Sequence, residues 1–364
     1  MRTGIQSPHR EKPIAIVAVT RNGVGLALRL REKLPGSVCF VPRRHEFALA
    51  MGATGFDHLG SAFDEIWKNH RAMVCIMATG IVVRLLSRLL RNKATDPAVV
   101  VLDERARFAI SLVSGHLGGA NDLAREVASL TGGQTVITTA SDVNERPSLD
   151  VIARSMGLHV ENAAKLPRAA RAILEDESLW VFDPEGRLRE HLHGLDRVVW
   201  VGDEILDLER SPAFGKQTVI WVSERIAPKG LECLFLRPRN LVVGVGCNRG
   251  TGSQEILGLL REIFRESGFS LESVRNLATV DLKREEPGLL LAAERLNRPI
   301  DFFAAGELGG IDVPNPSPVV ESHIGVQSVC EAAALLSAGK GHLVIPKRKS
   351  PNVTLAVARV DCPS

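Results

Sequence analysis

One histidine in this chain stands where a proton-transfer group is useful. His116 lies in "SGHLGGAN", after Gly115 and ahead of Gly118 and Gly119. An imidazole changes charge near neutral pH, so it takes or gives protons under ordinary conditions. The glycines admit a ligand closely, and the first amides of a following helix are free to donate to it. Gly118, Gly119 and Asn121 are therefore candidate ligand contacts. The plainer alternative is a histidine whose hydrogen bonds only hold a turn. Carboxylates offer the same proton chemistry at three other places: Glu104 at the end of "PAVVVLDE", Glu307 in "GELGG" and Glu321 in "PVVESHIG". Each borders a strand end or a glycine or proline turn, where it is either a proton-transfer group or an ordinary loop acid.

Other residues suit the binding of anions. In "LVVGVGCNRGTGSQEI", Gly246, Arg249, Gly250 and Thr251 lie between an apolar run and a helical pattern. Helix-start amides attract anions, and a guanidinium takes a carboxylate through paired N–H groups. The loop is not a phosphate loop of the Walker type, because the closing Lys-Ser/Thr is missing. Gly244, Gly246 and Gly250 also miss the dinucleotide spacing by one residue. The alternative is a tight strand-to-helix turn in which glycines only avoid clashes. After "ATG", Gly80 precedes Arg84 and Arg88, which lie one turn apart on the expected helix, either gripping an acidic ligand or lying in solvent. His191 and His193 are two residues apart and could bind a metal only on a strand or loop; no other histidine or cysteine shows a metal-ligand spacing, so no resident metal is expected.

The elements that position these residues follow one grammar. "PIAIVAVT", "AMVCIMA", "PAVVVLD" and "GQTVITTASD" are short, β-branched runs that suit buried strands. After "RNGVG", the run "LALRLREKL" has helical spacing; so does "IVVRLLSRLL", and Leu123, Val127 and Leu130 repeat at i, i+4, i+7 before Gly132 and Gly133. Strands alternating with helices predict an α/β fold of mostly parallel sheets covered by helices on both faces. Three segments are expected: 1–142, 143–239 and 240–364. The middle one offers "SLWVFDP", "DRVVWVGDE" and "KQTVIWVSER" as strands but no glycine-to-helix loop. The last closes with "GHLVIPKRK" and "NVTLAVARV".

Composition narrows the class. Hydrophobic residues make up 45% and charged residues 24% of the 364, ordinary for a globular chain. A net charge of +3 gives no electrostatic reason to expect nucleic acid. Six cysteines without a CxxC pair suit a reducing cytoplasm. The polar start "MRTGIQSPHREKP" carries no signal-peptide core, and no apolar run approaches the roughly 20 residues of a membrane span.

Taken together, the loops resemble a known family. The stretch from "MATGIVVRLLSRLL" through "SGHLGGAN" to "VITTASDVN" resembles the N-terminal region of the CbiG family of cobalamin biosynthesis, the cobalt-precorrin-5A hydrolases. "VGVGCNRGTGSQEIL", "LATVDLKREEPGLLLAAERL", "SVCEAAALL" and "VTLAVAR" resemble its C-terminal domain. The resemblance implies a cobalt-bearing tetrapyrrole substrate of the anaerobic vitamin B12 pathway. Water opens its δ-lactone, and carbon 20 of the ring leaves with its methyl group as acetaldehyde. The cobalt arrives with the substrate, so no cofactor is implied, and neighbouring pathway enzymes are the implied transient contacts. A non-catalytic carrier of corrinoid intermediates is the alternative. On this reading His116 would activate water, with Glu104 and Glu307 next in line. Amides of Gly118, Gly119 and Ala120 would hold the oxyanion. Helix starts on one sheet edge, with Arg84, Arg88 and Arg249, would form a multi-point anion cradle.

Overall fold

The computed structural model describes residues 12–92, 95–116, 118–202, 217–316, 327–339 and 341–361. Contacts divide the chain into two compact units, Met1–Val151 and Ile152–Ser364.

The first unit is built on a seven-stranded sheet. Its strands are β1 (Ile14–Ala18), β2 (Ser37–Pro42), β3 (Thr54–Phe56), β4 (Ala72–Ile76), β5 (Ala98–Leu102), β6 (Phe108–Val113) and β7 (Gln134–Val136), in the order β3-β2-β1-β4-β5-β6-β7. All neighbours run parallel except β5 and β6. β1, β4 and β5 are buried along their whole length, which is why they read as unbroken apolar runs. Alternate residues face opposite ways: Ile14 and Ile16 join one core layer, Ala15 and Val17 the other. Helices α1 (Arg21–Lys33), α2 (Glu46–Ala50), α3 (Leu59–Asn69), α4 (Thr79–Leu86) and α5 (Ala120–Thr131) cover the two faces.

Two local expectations change. "RNGVG" is the first turn of α1 rather than a loop before it. Thr20 caps that turn by accepting from Gly23 N at 3.2 Å. The helix after "ATG" stops at Leu86, so Arg88 lies beyond it and not one helical turn from Arg84.

The second unit holds two five-stranded sheets. One has the order β10-β9-β11-β12-β8, from β8 (Leu158–Val160), β9 (Leu179–Phe182), β10 (Val198–Val201), β11 (Thr218–Val222) and β12 (Cys233–Pro238). The other has the order β15-β14-β13-β17-β16, from β13 (Leu241–Cys247), β14 (Val274–Val280), β15 (Ile300–Phe303), β16 (His342–Lys349) and β17 (Val353–Arg359). The middle sheet is parallel but for β8. The last is evenly mixed, because β17 runs antiparallel to both neighbours, where a largely parallel sheet was expected. These two parts form one unit because the backbone joins them: Ser270 N donates to Glu224 O at 2.7 Å and Ile226 N to Gly268 O at 2.8 Å.

Candidate functional site

A strand that the sequence reading passes over decides the geometry. "FAISLV" is β6, and the link from Leu102 to Phe108 is far too short for a parallel crossover, so β6 returns antiparallel beside β5. Val113 pairs with Val99 at the start of β5, while Ala109 pairs with Leu102 at its end. The His116 loop, which follows Val113, therefore lies at one edge of the sheet. The loops that follow β1, β4 and β5 lie at the opposite edge. A single edge carrying all the helix starts does not form.

At the His116 edge the loop is closed on itself. Gly119 N donates to His116 O at 2.9 Å, Ala120 N to Ser114 O at 3.1 Å and Asn121 N to Gly115 O at 3.0 Å. The amides of Gly119 and Ala120 proposed for an oxyanion are thus already used. The glycines serve the turn. A Cβ at Gly118 would fall 2.3 Å from Ser114 Cβ, and one at Gly115 would fall 2.8 Å from Asn121 Oδ1, while Gly119 has φ +84°.

The turn aims His116 at the segment after β7. Its Nε2 lies 2.8 Å from Asp142 Oδ2 and 3.1 Å from Ser141 Oγ. Its Nδ1 lies 3.1 Å from Ser148 Oγ, which donates to Asp150 at 2.5 Å. Asn121, which is buried, donates to Asp142 at 2.9 Å and accepts from Ser111 at 2.6 Å. Arg125 completes the cluster, donating to both Asp142 and Asp122. Burial works to raise the Asp142 pKa, but hydrogen bonds and charge from His116 and Arg125 outweigh it and hold the carboxyl below its usual range. A carboxylate on one ring nitrogen and a hydroxyl on the other form a hydrogen-bond relay. The run "GQTVITTASD" predicts a strand through Asp142, but β7 ends at Val136 and Asp142 lies in a short helix, Ala140–Val143; no motif marks Ser148 or Asp150.

The opposite edge is open. Thr20 donates to Glu104 Oε1, tying the loop after β1 to the loop after β5 across β4. Beside this pair lies a cavity of about 570 Å³ lined by Arg21, Asn22, Gly25, Arg29, Phe47, Glu104 and Arg105. No hydrogen bond or ion pair among the described residues engages the guanidiniums of Arg21, Arg29 or Arg105. Arg44 and His45 add donors nearby, both on Val19 O, at 3.0 and 3.2 Å. Arg21 and Arg29 share α1, but no spacing in the sequence joins them to Arg105, which comes from the loop after β5. Gly80 and Arg84 share this edge, at the start of the helix after β4, and Arg84 donates to Gly80 O at 3.3 Å. Arg88 instead pairs with Asp64 at 3.1 Å and Gly60 O at 3.0 Å.

The remaining candidates lie in the second unit. Glu307 accepts from Ala304 N at 2.8 Å, capping its own short helix. In the loop after β13, Gly250 N donates to Glu286 Oε1 at 2.7 Å, so a carboxylate of the protein occupies that donor. Thr251 is buried, its hydroxyl donating to Asn248 O at 2.8 Å, and a Cβ at Gly246 would meet Thr354 Oγ1 at 2.5 Å. Arg249 is exposed and no ion pair engages it among the described residues. Glu321 lies outside the described residues. Among the described residues no three histidine, cysteine, aspartate or glutamate side chains converge as a metal site, and no helix is long and apolar enough to cross a membrane.

Comparison with known proteins covers nearly the whole chain. Residues 61–142 match the family model described as Cobalamin synthesis G N-terminal, 147–238 the Cobalamin biosynthesis central region and 241–358 the Cobalamin synthesis G C-terminus. The cobalt-precorrin-5A hydrolase of Priestia megaterium is 32% identical over 357 residues, covering 95% of this chain and 94% of that protein. The cobalt-precorrin-5A hydrolase of Salmonella typhimurium is 32% identical over 358 residues, covering 96% and 99%. A solved structure of CobE, from the cobalamin biosynthetic pathway, is 36% identical and covers 34% of this chain and 93% of its own, with a TM-score of 0.33. With all three family regions present in order and full-length relatives at this identity, the chain belongs to the cobalamin synthesis G (CbiG) family.

Proposed function

We propose that the chain is a cobalt-precorrin-5A hydrolase of cobalamin biosynthesis. It adds water across the δ-lactone of cobalt-precorrin-5A and releases the extruded carbon with its methyl group as acetaldehyde, leaving cobalt-precorrin-5B. The observation that carries this reading is the match along almost the full length of both this chain and two hydrolases of that name. Its chemistry asks the protein for carboxylate grips and a proton-transfer group. The macrocycle and its cobalt, which are substrate, supply the electron sink for carbon–carbon cleavage. The first unit offers proton-transfer groups at both sheet edges, the His116 relay and Glu104. Anaerobic incubation of the purified chain with cobalt-precorrin-5A tests the reading. The expected result is a product that has gained one water and lost one acetaldehyde, with acetaldehyde in equal amount. Bound but unchanged substrate would instead make the chain a carrier.

A further inference from the structure

We propose that the groove formed by Arg21, Arg29, Phe47, Glu104 and Arg105 seats the acidic rim of the macrocycle, with Glu104 as the proton-transfer group at the lactone. The assignment rests on the hydrolase reading above and names the place where that substrate binds.

Position is the first reason. The chain leaves β1 toward β2 and β3 on one side and crosses to β4 and β5 on the other. The loops after β1 and β4 therefore part, and a crevice opens at the carboxyl ends of the strands, where open α/β sheets take their ligands. Arg21 after β1 and Glu104 and Arg105 after β5 place the groove at this edge, on the α1 side of that crevice.

Unspent binding capacity is the second. Like charges gathered in one place repel unless an anion joins them. Three guanidiniums face one carboxylate, so the groove is net positive, and none of the three is engaged by the protein among the described residues. Each presents a planar fork of donors that matches a carboxylate. At the other edge the one arginine of the cluster is committed to Asp122 and Asp142, and the amides of Gly119, Ala120 and Asn121 are used within the turn. A polycarboxylate finds no unengaged guanidinium in that cluster.

The groove also has a fixed acid and a flat wall. Thr20, itself the cap of α1, holds Oε1 of Glu104, and Oε2 has no partner among the described residues. Phe47 is 43% exposed, an apolar surface on which a macrocycle face can rest. In the hydrolytic step Glu104 takes a proton from water as its oxygen bonds to the lactone acyl carbon. The acyl–oxygen bond then breaks, and the ring oxygen leaves with that proton. The products are a carboxylic acid and a hydroxyl group, with all atoms accounted for.

The test uses the full chain with two readouts. In fluorescence titration with an octacarboxylate porphyrin, the parent should bind the acid and not its neutral methyl ester. The triple variant R21Q/R29Q/R105Q should bind about 30-fold more weakly, at roughly threefold per exposed charge contact. The triple lysine variant should recover most of the loss, and Arg261→Gln, a single exposed charge elsewhere, should change nothing. In turnover, the triple Gln variant should raise KM with kcat within a few fold, whereas Glu104→Gln should lower kcat by about 100-fold or more. Equal binding of acid and ester, or a triple Gln variant with parental binding and KM, overturns the groove. If the parent releases no acetaldehyde but keeps arginine-dependent porphyrin binding, the hydrolase reading fails and the groove stands.

Discussion

The two edges of the N-terminal sheet carry comparable sets of polar residues and use them in opposite ways. At one edge His116, Asp142, Asn121, Arg125, Ser148 and Asp150 satisfy one another. At the other, Thr20 and Glu104 form one bond, and three arginines are left without a protein partner among the described residues. A density of chemically able residues therefore does not by itself mark a ligand site. What marks one is hydrogen-bonding capacity that the fold has not consumed, since a buried or crowded polar group otherwise finds a partner within the protein. The loop after β13 teaches the same lesson, because Glu286 already fills the donor that Gly250 would offer a substrate.

The strongest test of the contrast sets His116→Asn beside Glu104→Gln in the acetaldehyde assay. The Glu104 variant should fall by roughly two orders of magnitude or more, and the His116 variant by less than about tenfold. The reverse ranking would move the chemistry to the relay.

Stability should rank the edges the other way. His116→Ala strands the partly buried Asp142 and should cost about 1–3 kcal/mol in urea unfolding of the first unit. Glu104→Ala, at an exposed site, should change stability by no more than about 0.5 kcal/mol. Equal costs would mean that the groove is as tightly knit as the relay.

Acid should expose the closed edge specifically. The Asp142 pKa is held below its ordinary value in the folded chain, so its contribution is present above the unfolded value of about 3.9 and is lost as pH falls through the lower folded value. The parent should lose stability over that window, and Asp142→Asn should flatten the loss. An unchanged pH profile in the variant would show that the network does not hold the carboxylate ionised.

The smallest effect is expected at Arg249. Glu286 takes the neighbouring Gly250 amide and leaves Arg249 as a single exposed charge, so Arg249→Ala should shift porphyrin affinity by less than about threefold. A loss as large as that of the groove variants would return the C-terminal loop to the binding surface.

Much of this was legible in the chain itself. Unbroken apolar runs gave β1, β4 and β5, because strands buried on both faces need apolar residues at every position. Leu123, Val127 and Gly132 gave the helix Ala120–Thr131, because its apolar face and left-handed glycine end are local properties. Glu104 and His116 stood out by residue type and position. The direction of β6 was readable in principle from the short link before "FAISLV", but only once that run is taken as a strand. What the sequence alone could not decide is which charges remain free. Thr20 reaches Glu104 across 84 positions and Glu286 reaches Gly250 across 36. Arg88 goes to Asp64, while Arg21, Arg29 and Arg105 meet around an empty volume. Hydrogen bonds and ion pairs act over a few ångströms of space, so only the tertiary structure, by choosing which distant segments come within that range, separates a spent donor from one left for a ligand.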